Sequence, residues 1–242
     1  MSDKSGLDLA HLFFDGVDVK AANSELQIES SVVAIKKHVR AAAYPSLFVT
    51  GQHDGGLVYD GWLDSTTAAQ IGDSSGLAKV ISVLHEGNVS GAHFFGLQSA
   101  AVGGRVFTMP QEDLDTLTPL LVVDGEVDFG FVVATYANRT TDGNTQSTYV
   151  DLGAAADTGG RLYMNIGAID VGGGSGVTVT LQHSTDHSSW GDHANGVLTI
   201  ANAIGAQCLN ISAAVYRYVA MKWAWTGGTS QSFSAFVGFA PN

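Results

Sequence analysis

Apolar and polar residues alternate with a period of two over many short stretches of this chain. Glu25, Gln27 and Glu29 interleave with Leu26 and Ile28, and Val58, Asp60, Trp62 and Asp64 interleave with Leu57, Tyr59, Gly61 and Leu63. Glu126 and Asp128 likewise share one parity, with Val127 and Phe129 on the other. Alternation of this kind predicts strands with one covered and one solvated face. Asp15-Gly16, Asp54-Gly55-Gly56, Gly103-Gly104 and Asp124-Gly125 supply turn chemistry between such runs. One segment has a different period. Leu77, Val80, Ile81 and Leu84 stand at i, i+3, i+4 and i+7, with Asp73, Ser74 or Ser75 as N-cap and Gly87 as a stop, which predicts a single helix within 65–87. Residues 31–46 carry Lys36, Lys37 and Arg40 ahead of Tyr44-Pro45 without a clean period, and read as a loop or extended excursion.

From Ala134 to Gly160 the composition turns to Thr, Asn, Gly, Ala and Asp, which marks a passage between domains. Beyond it RLYMNIGAIDV, VTVTLQHS, GVLTI, QCLNIS, YRYVAMKWAW and FSAFVGFA follow at the spacing of a small β-sandwich. In YRYVAMKWAW, Val219, Met221, Trp223 and Trp225 share the parity expected to face a core. The expected architecture is all-β with one main helix: a first domain over 1–135, a linker or first strand over 136–160, and an immunoglobulin-like or jelly-roll sandwich over 161–242.

Composition agrees with many short strands, since hydrophobic residues make up 45% of the chain, charged residues 14%, and glycine 30 of 242 positions. Cys208 is the only cysteine, so no intrachain disulfide or CxxC pair can form. MSDKSGLDLA lacks a charged region followed by an apolar run, so no secretory leader is expected there, and no apolar span of about 18 residues predicts a membrane helix. Charge is unevenly placed. Residues 1–133 hold seven Lys/Arg against seventeen Asp/Glu, a balance of −10, while the remainder holds four against six, a balance of −2. An acidic half does not bind nucleic acid by neutralising phosphates; it can line a passage that repels them, or simply keep the protein soluble.

Candidate chemistry is sparse. His183, Asp186, His187, Asp192 and His193 fall within eleven residues, but they follow a strand and enter a turn, so the i, i+4 geometry of a helical metal site fails. No Gly-x-Ser-x-Gly elbow occurs, Gly172-Gly173-Gly174 precedes no helix, and paired acids such as Glu112, Asp113 and Asp115 fall on solvent-facing stretches. The chain is therefore expected to be no enzyme and to hold no metal or cofactor. A hydrolase acting through its carboxylates or the histidine cluster is the weakest of three function classes. A second is a tail or capsid decoration protein that binds host-surface glycan through Trp190, Tyr216 or Tyr218.

The leading class comes from a resemblance. The runs RLYMNIGAIDV, SGVTVTLQHSTDHSSWGD and ISAAVYRYVAMKWAWTGGTSQSFSAFVGFA stand in an order similar to the appended sandwich of tail tube (major tail) proteins of long-tailed bacteriophages. That order is a strand, a Gln-x-Ser strand before an Asp and Trp hairpin, an Arg-Tyr strand, and a Thr-Gly-Gly turn into a Phe-rich strand. The first half is similar in its Asp-Gly turn, aromatic strand, Asp-rich segment and single helix. The resemblance implies a tail-tube barrel or sandwich followed by the C-terminal sandwich, and a virion protein that closes into six-fold rings stacked into a tube, assembled in the host cytoplasm. Its partners would be copies of itself, a tape-measure protein and other tail proteins, with DNA passing through unbound and no membrane involved. Candidate lumen-facing acids are Glu25, Glu29, Asp60, Asp64, Glu126 and Asp128.

Overall fold

The structure, a computed structural model, describes residues 11–19, 23–38, 46–62, 79–108, 116–124 and 127–242, with side chains placed for 11–19, 79–100 and 127–242. The described strands are β1 (His11–Phe14), β2 (Val17–Asp18), β3 (Asn23–His38), β4 (Ser46–Trp62), β5 (Lys79–Leu84), β6 (His93–Thr108), β7 (Thr116–Asp124) and β8 (Val127–Arg139). They continue as β9 (Gly143–Asn144), β10 (Val150–Asp151), β11 (Gly160–Asp170), β12 (Gly176–Ser184), β13 (Gly191–Ile200), β14 (Gly205–Ile211), β15 (Tyr218–Thr226) and β16 (Ser232–Pro241). A one-turn 3-10 helix at Gln146–Thr148 is the only helical element among the described residues. The all-β expectation holds; the helix does not. Lys79–Leu84, the second half of its apolar period, is a strand that pairs antiparallel with β1, Ile81 opposite Phe14 and Leu84 opposite His11. Ile81, Ser82, Val83 and Leu84 are all buried, so both faces of the strand are covered and its apolar run mimics a helical stripe. The first half of the expected helix lies outside the described residues.

Three local expectations are corrected by the pairing. Residues 31–38 belong to β3 rather than a loop, with Lys36 opposite Phe48 and Lys37 opposite Leu47. Asp54-Gly55-Gly56 is not a turn: β4 runs through it, pairing these residues with Ser31, Ser30 and Glu29. Gly103-Gly104 is an irregularity within β6, where the register against β7 shifts between Val102 and Gly104. A glycine pair inside a strand loosens one rung without reversing the chain.

Contacts divide the chain into two units that do not follow sequence order: 1–22, 79–96 and 128–242 in one, 23–78 and 97–127 in the other. The sequence division at 135 and 160 runs along the chain instead. In the smaller unit the order is β3-β4-β7, with the end of β6 beside β7, all antiparallel.

The larger unit has two sheets. One runs β14-β11-β16-β8-β6-β5-β1-β2, and the other β10-β15-β12-β13 with β9 added to β15. Between them lie Leu162, Met164 and Ile166 of β11 and Phe233, Ala235, Val237 and Phe239 of β16, facing Val177, Val179 and Leu181 of β12 and Val219 and Met221 of β15. These are alternate positions, as the period of two requires. The intervening Tyr163 and Asn165 of β11 and Phe236 and Gly238 of β16 are buried too. Tyr163 and Phe236 pack with Phe13, Phe94 and Val132 on the opposite face of the first sheet, so these strands are covered on both sides. Phe94 meets Tyr163 and Phe236 edge-on, with centroids 5.6 and 5.4 Å apart.

The first sheet curls so that the β1–β2 turn reaches β11 and β14. Asp15 Oδ1 accepts a hydrogen bond from Ala206 N at 3.2 Å, Gly16 N donates to Asn165 Oδ1 at 3.2 Å, and Asn165 Nδ2 donates to Ser82 Oγ at 2.8 Å. Gly16 has φ +88, and a Cβ there would stand 2.5 Å from Ile166 O, so both conformation and space demand glycine. A curled sheet whose end strands meet has fewer open edges.

Candidate functional site

A set of surface rings lies at one end of the second sheet. Tyr149 follows the 3-10 turn, His187 and Trp190 sit in the β12–β13 hairpin, and Tyr218 opens β15. Tyr149 stacks on His187 (5.2 Å, 15°), meets Tyr218 edge-on (5.4 Å, 85°) and lies 6.1 Å from Trp190; His187 meets Tyr218 at 5.1 Å. Tyr149 and His187 are exposed, Trp190 and Tyr218 half-buried. The Arg217 guanidinium lies 5.1 Å over the Tyr218 ring and holds both oxygens of Asp151 at 2.7 Å. That pairing, with a hydrogen bond from Gly153 N, lowers the Asp151 carboxyl to about 2.

The hairpin that presents His187 is tied locally. Asp186 Oδ1 accepts from Ser189 N (2.8 Å), Ser188 N (3.0 Å) and Ser184 Oγ (2.9 Å), which holds its carboxyl well below the usual range. His187 follows with φ 52, a left-handed conformation uncommon outside glycine. At its foot His183 stacks on Tyr216 (4.3 Å, 13°) and lies edge-on to His193 (5.0 Å). Nδ1 of each accepts a backbone N–H, from Tyr216 at 3.2 Å and from Asn195 at 3.3 Å, so both rings carry their proton on Nε2 when neutral. Burial first, and His193 second, lower the His183 pKa.

The residues read from the sequence as a metal-like cluster are thus spread over several tasks. His183 and His193 adjoin, His187 joins the aromatic patch, Asp186 closes the hairpin, and Asp192 accepts from Lys222 Nζ at 2.8 Å and Gln182 Nε2 at 2.6 Å. Among the described residues no group of three or more His, Cys, Asp or Glu could hold a metal ion. Of the three candidate aromatics, Tyr216 is 45% exposed, while Trp190 and Tyr218 are joined through Tyr149. Sequence reasoning missed Tyr149 and His187 as part of this surface. Tyr149 lies in the polar stretch read as a linker, and only pairing of β10 with the start of β15 brings it beside Tyr218.

The acids named for a lumen fall in different settings. The β3–β4 register places Glu25 opposite Asp60 and Glu29 opposite Gly56. Asp128, half-buried on β8, accepts hydrogen bonds from Arg161 and the Tyr163 hydroxyl, so its charge is neutralised within the unit. Asp64 and Glu126 lie outside the described residues. A separate patch of rings occupies the first sheet, where His93 lies 4.8 Å from Phe129 and 4.9 Å from Phe131, Phe95 lies 5.4 Å from Phe129, and Phe129 is 50% exposed.

No protein-family model matches this chain, and no curated protein does. Among solved structures it is similar to the crystal structure of SPP1 Dit (gp 19.1), described as a paradigm of the hub adsorption apparatus in phages that infect Gram-positive bacteria. The TM-score is 0.34 and the identity 7%, over 95% of this chain and 98% of that one. A likeness that loose carries no argument here.

Proposed function

We propose that this chain is a structural subunit of a phage tail that assembles into stacked hexameric rings, forming a tube for genome ejection and performing no chemistry of its own. The observation that carries the reading is β3. It is 16 residues long, about 50 Å at the rise of a strand, and among the described strands it pairs with β4 only. A strand of that length whose second edge none of the other described strands pairs invites addition of a second copy's strand. A closed ring of such additions leaves no edge over, whereas an open series makes fibres. The order of sequence motifs shared with tail tube proteins supports the same reading, and the −10 balance of residues 1–133 suits a conduit for DNA. The exposed Phe129 patch offers apolar surface for a further copy or another tail protein.

Electron microscopy of the purified protein and of virions tests this: stacked six-fold rings are expected, and a chain that stays monomeric at high concentration and is missing from tails overturns it. Replacing Asp60 and Asp64 by lysine should leave rings intact and impair genome passage. The second reading, a decoration protein that holds host-surface glycan, is favoured by the Tyr149–His187–Trp190–Tyr218 cluster. Glycan-array binding lost in Tyr218→Ala would support it, with rings absent by microscopy.

A further inference from the structure

The alternate inward residues of β12, Val177, Val179 and Leu181, are followed at the same parity by His183, which stands beside Val219 of β15. The last place in an apolar row is thus held by a ring with two nitrogens. His193 meets it because β13 bulges: Thr180 stands opposite Val197 and Gln182 opposite Asp192, which leaves 193–196 to crowd against Leu181, with His193 only 4% exposed. A Cβ on Gly196 would stand 2.8 Å from that of Leu181, so the bulge is closely packed.

Each ring is held by a bond that only its uncharged form can make. His183 Nδ1 accepts the Tyr216 amide and His193 Nδ1 the Asn195 amide. A protonated imidazole carries hydrogen on both nitrogens and accepts nothing. The carboxylates on the surrounding elements are engaged elsewhere: Asp192 of β13 by Lys222 of β15, Asp151 of β10 by Arg217, and Asp186 by the amides of its own hairpin. His187 is turned to Tyr149 and Tyr218. The face of Tyr216, stacked on His183, attracts a cation. Burial and the neighbouring His193 outweigh that attraction and lower the His183 pKa.

We propose that His183 and His193 form an acid-operated latch at the foot of the β12–β13 hairpin, closed while both rings are neutral and opened as His183 takes a proton. His183 stands opposite Gly191 and Gln182 opposite Asp192, so the two rings sit at the base of the loop that carries His187 and Trp190. Tyr216 lies two residues before Tyr218. With the latch closed, both sides of the Tyr149–His187–Trp190–Tyr218 surface are tied to β12 and β13. When His183 is charged, the Tyr216 amide passes to solvent, which is at hand because Tyr216 is 45% exposed. Val215 and Arg217 keep their bonds to Ala156 and Leu152, so opening is confined to the side toward β12. The latch acts on the surface whatever that surface binds, so its failure would leave both proposed functions standing.

The test uses the full chain, labelled with nitrogen-15 and titrated from about pH 7.5 to about pH 4.5, a window that spans the ordinary histidine range. Imidazole nitrogen spectra report tautomer and charge, and backbone relaxation reports the mobility of 185–190. At the upper end both rings should show the Nε2–H tautomer and the hairpin should be as rigid as β12. As His183 charges, protection of the Tyr216 amide from exchange should fall about tenfold, the effect of one hydrogen bond, and 185–190 should gain mobility with the same midpoint. The amides of Ala156 and Val215, which bond to each other's carbonyls, should keep their protection. His183→Asn puts an uncharged acceptor where Nδ1 stood and should abolish the response. His193→Asn removes the opposing charge and should move the His183 midpoint upward; it serves if His183→Asn melts early. The proposal is overturned if His183 stays neutral throughout, if it charges with Tyr216 and the hairpin unchanged, if His183→Asn responds like the parent, or if His193→Asn leaves the midpoint where it was.

Discussion

Arg139 is the sharpest place to perturb the larger unit. It is 9% exposed, with no carboxylate among its hydrogen-bond partners, and spends its donors on three carbonyls: Ala137 O at 2.8 Å and Ala235 O at 2.9 Å through one terminal nitrogen, and Thr135 O at 2.7 Å through the other. Its guanidinium also lies 4.8 Å from the Trp223 ring centroid and 5.5 Å from that of Phe233. Burial lowers its pKa to about 10, a sign of how much solvation it has given up. Three hydrogen bonds to a charged donor, at about 1.5 kcal/mol each, and about 1 kcal/mol of cation–π attraction sum to about 5–6 kcal/mol. Desolvation of the guanidinium returns several of these, leaving a net of about 3 kcal/mol. Arg139→Met keeps the stem and should lower Tm by about 6–12 °C, at about 2–4 °C per kcal/mol for a chain of this size. Arg139→Lys should be worse than Met, because it keeps a buried charge and loses the planar fork that reaches all three carbonyls. Scanning calorimetry gives the order. A methionine variant as stable as the parent, or a lysine variant more stable than methionine, would refute the claim that the fork offsets its own burial.

Three further outcomes follow from other sites. Gly96→Ala should destabilise by about 1–3 kcal/mol in denaturant melts, since its Cβ would stand 2.6 Å from the ring of Tyr163, which is wholly buried and has no room to retreat; an unchanged melt would show that ring to be movable. The Cys208 thiol, raised to about 11 chiefly by burial, carries about a hundredfold less thiolate at neutral pH than one at its ordinary 9.0, so alkylation of the folded protein should be slow and should speed up on unfolding. His183 and His85 have pKa values lowered first by burial, so each favours the fold fully above the unfolded value of about 6.5 and loses that contribution as pH falls below it. Urea melts at neutral and mildly acidic pH should differ less in His183→Gln than in the parent; an equal difference would place the effect elsewhere.

The sequence by itself determined the elements wherever one face of a strand met the core and the other met solvent or a second layer. The strands of 160–241 and the inward parity of Val219, Met221, Trp223 and Trp225 could be read from alternation, as could the Asp15-Gly16 turn. Tertiary structure decided what alternation does not encode. β5 is covered on both faces, which erases the period of two and leaves an apolar run that looks helical. β4 passes straight through Asp54-Gly55-Gly56 because a partner on each side, β3 and β7, takes up the ladder that a turn would have broken. The sites lay further out of reach. Local pattern tells a residue which face it occupies but not which distant residue it will meet, and the ring contacts of Tyr149 with His187 and with Tyr218 join segments far apart in the chain.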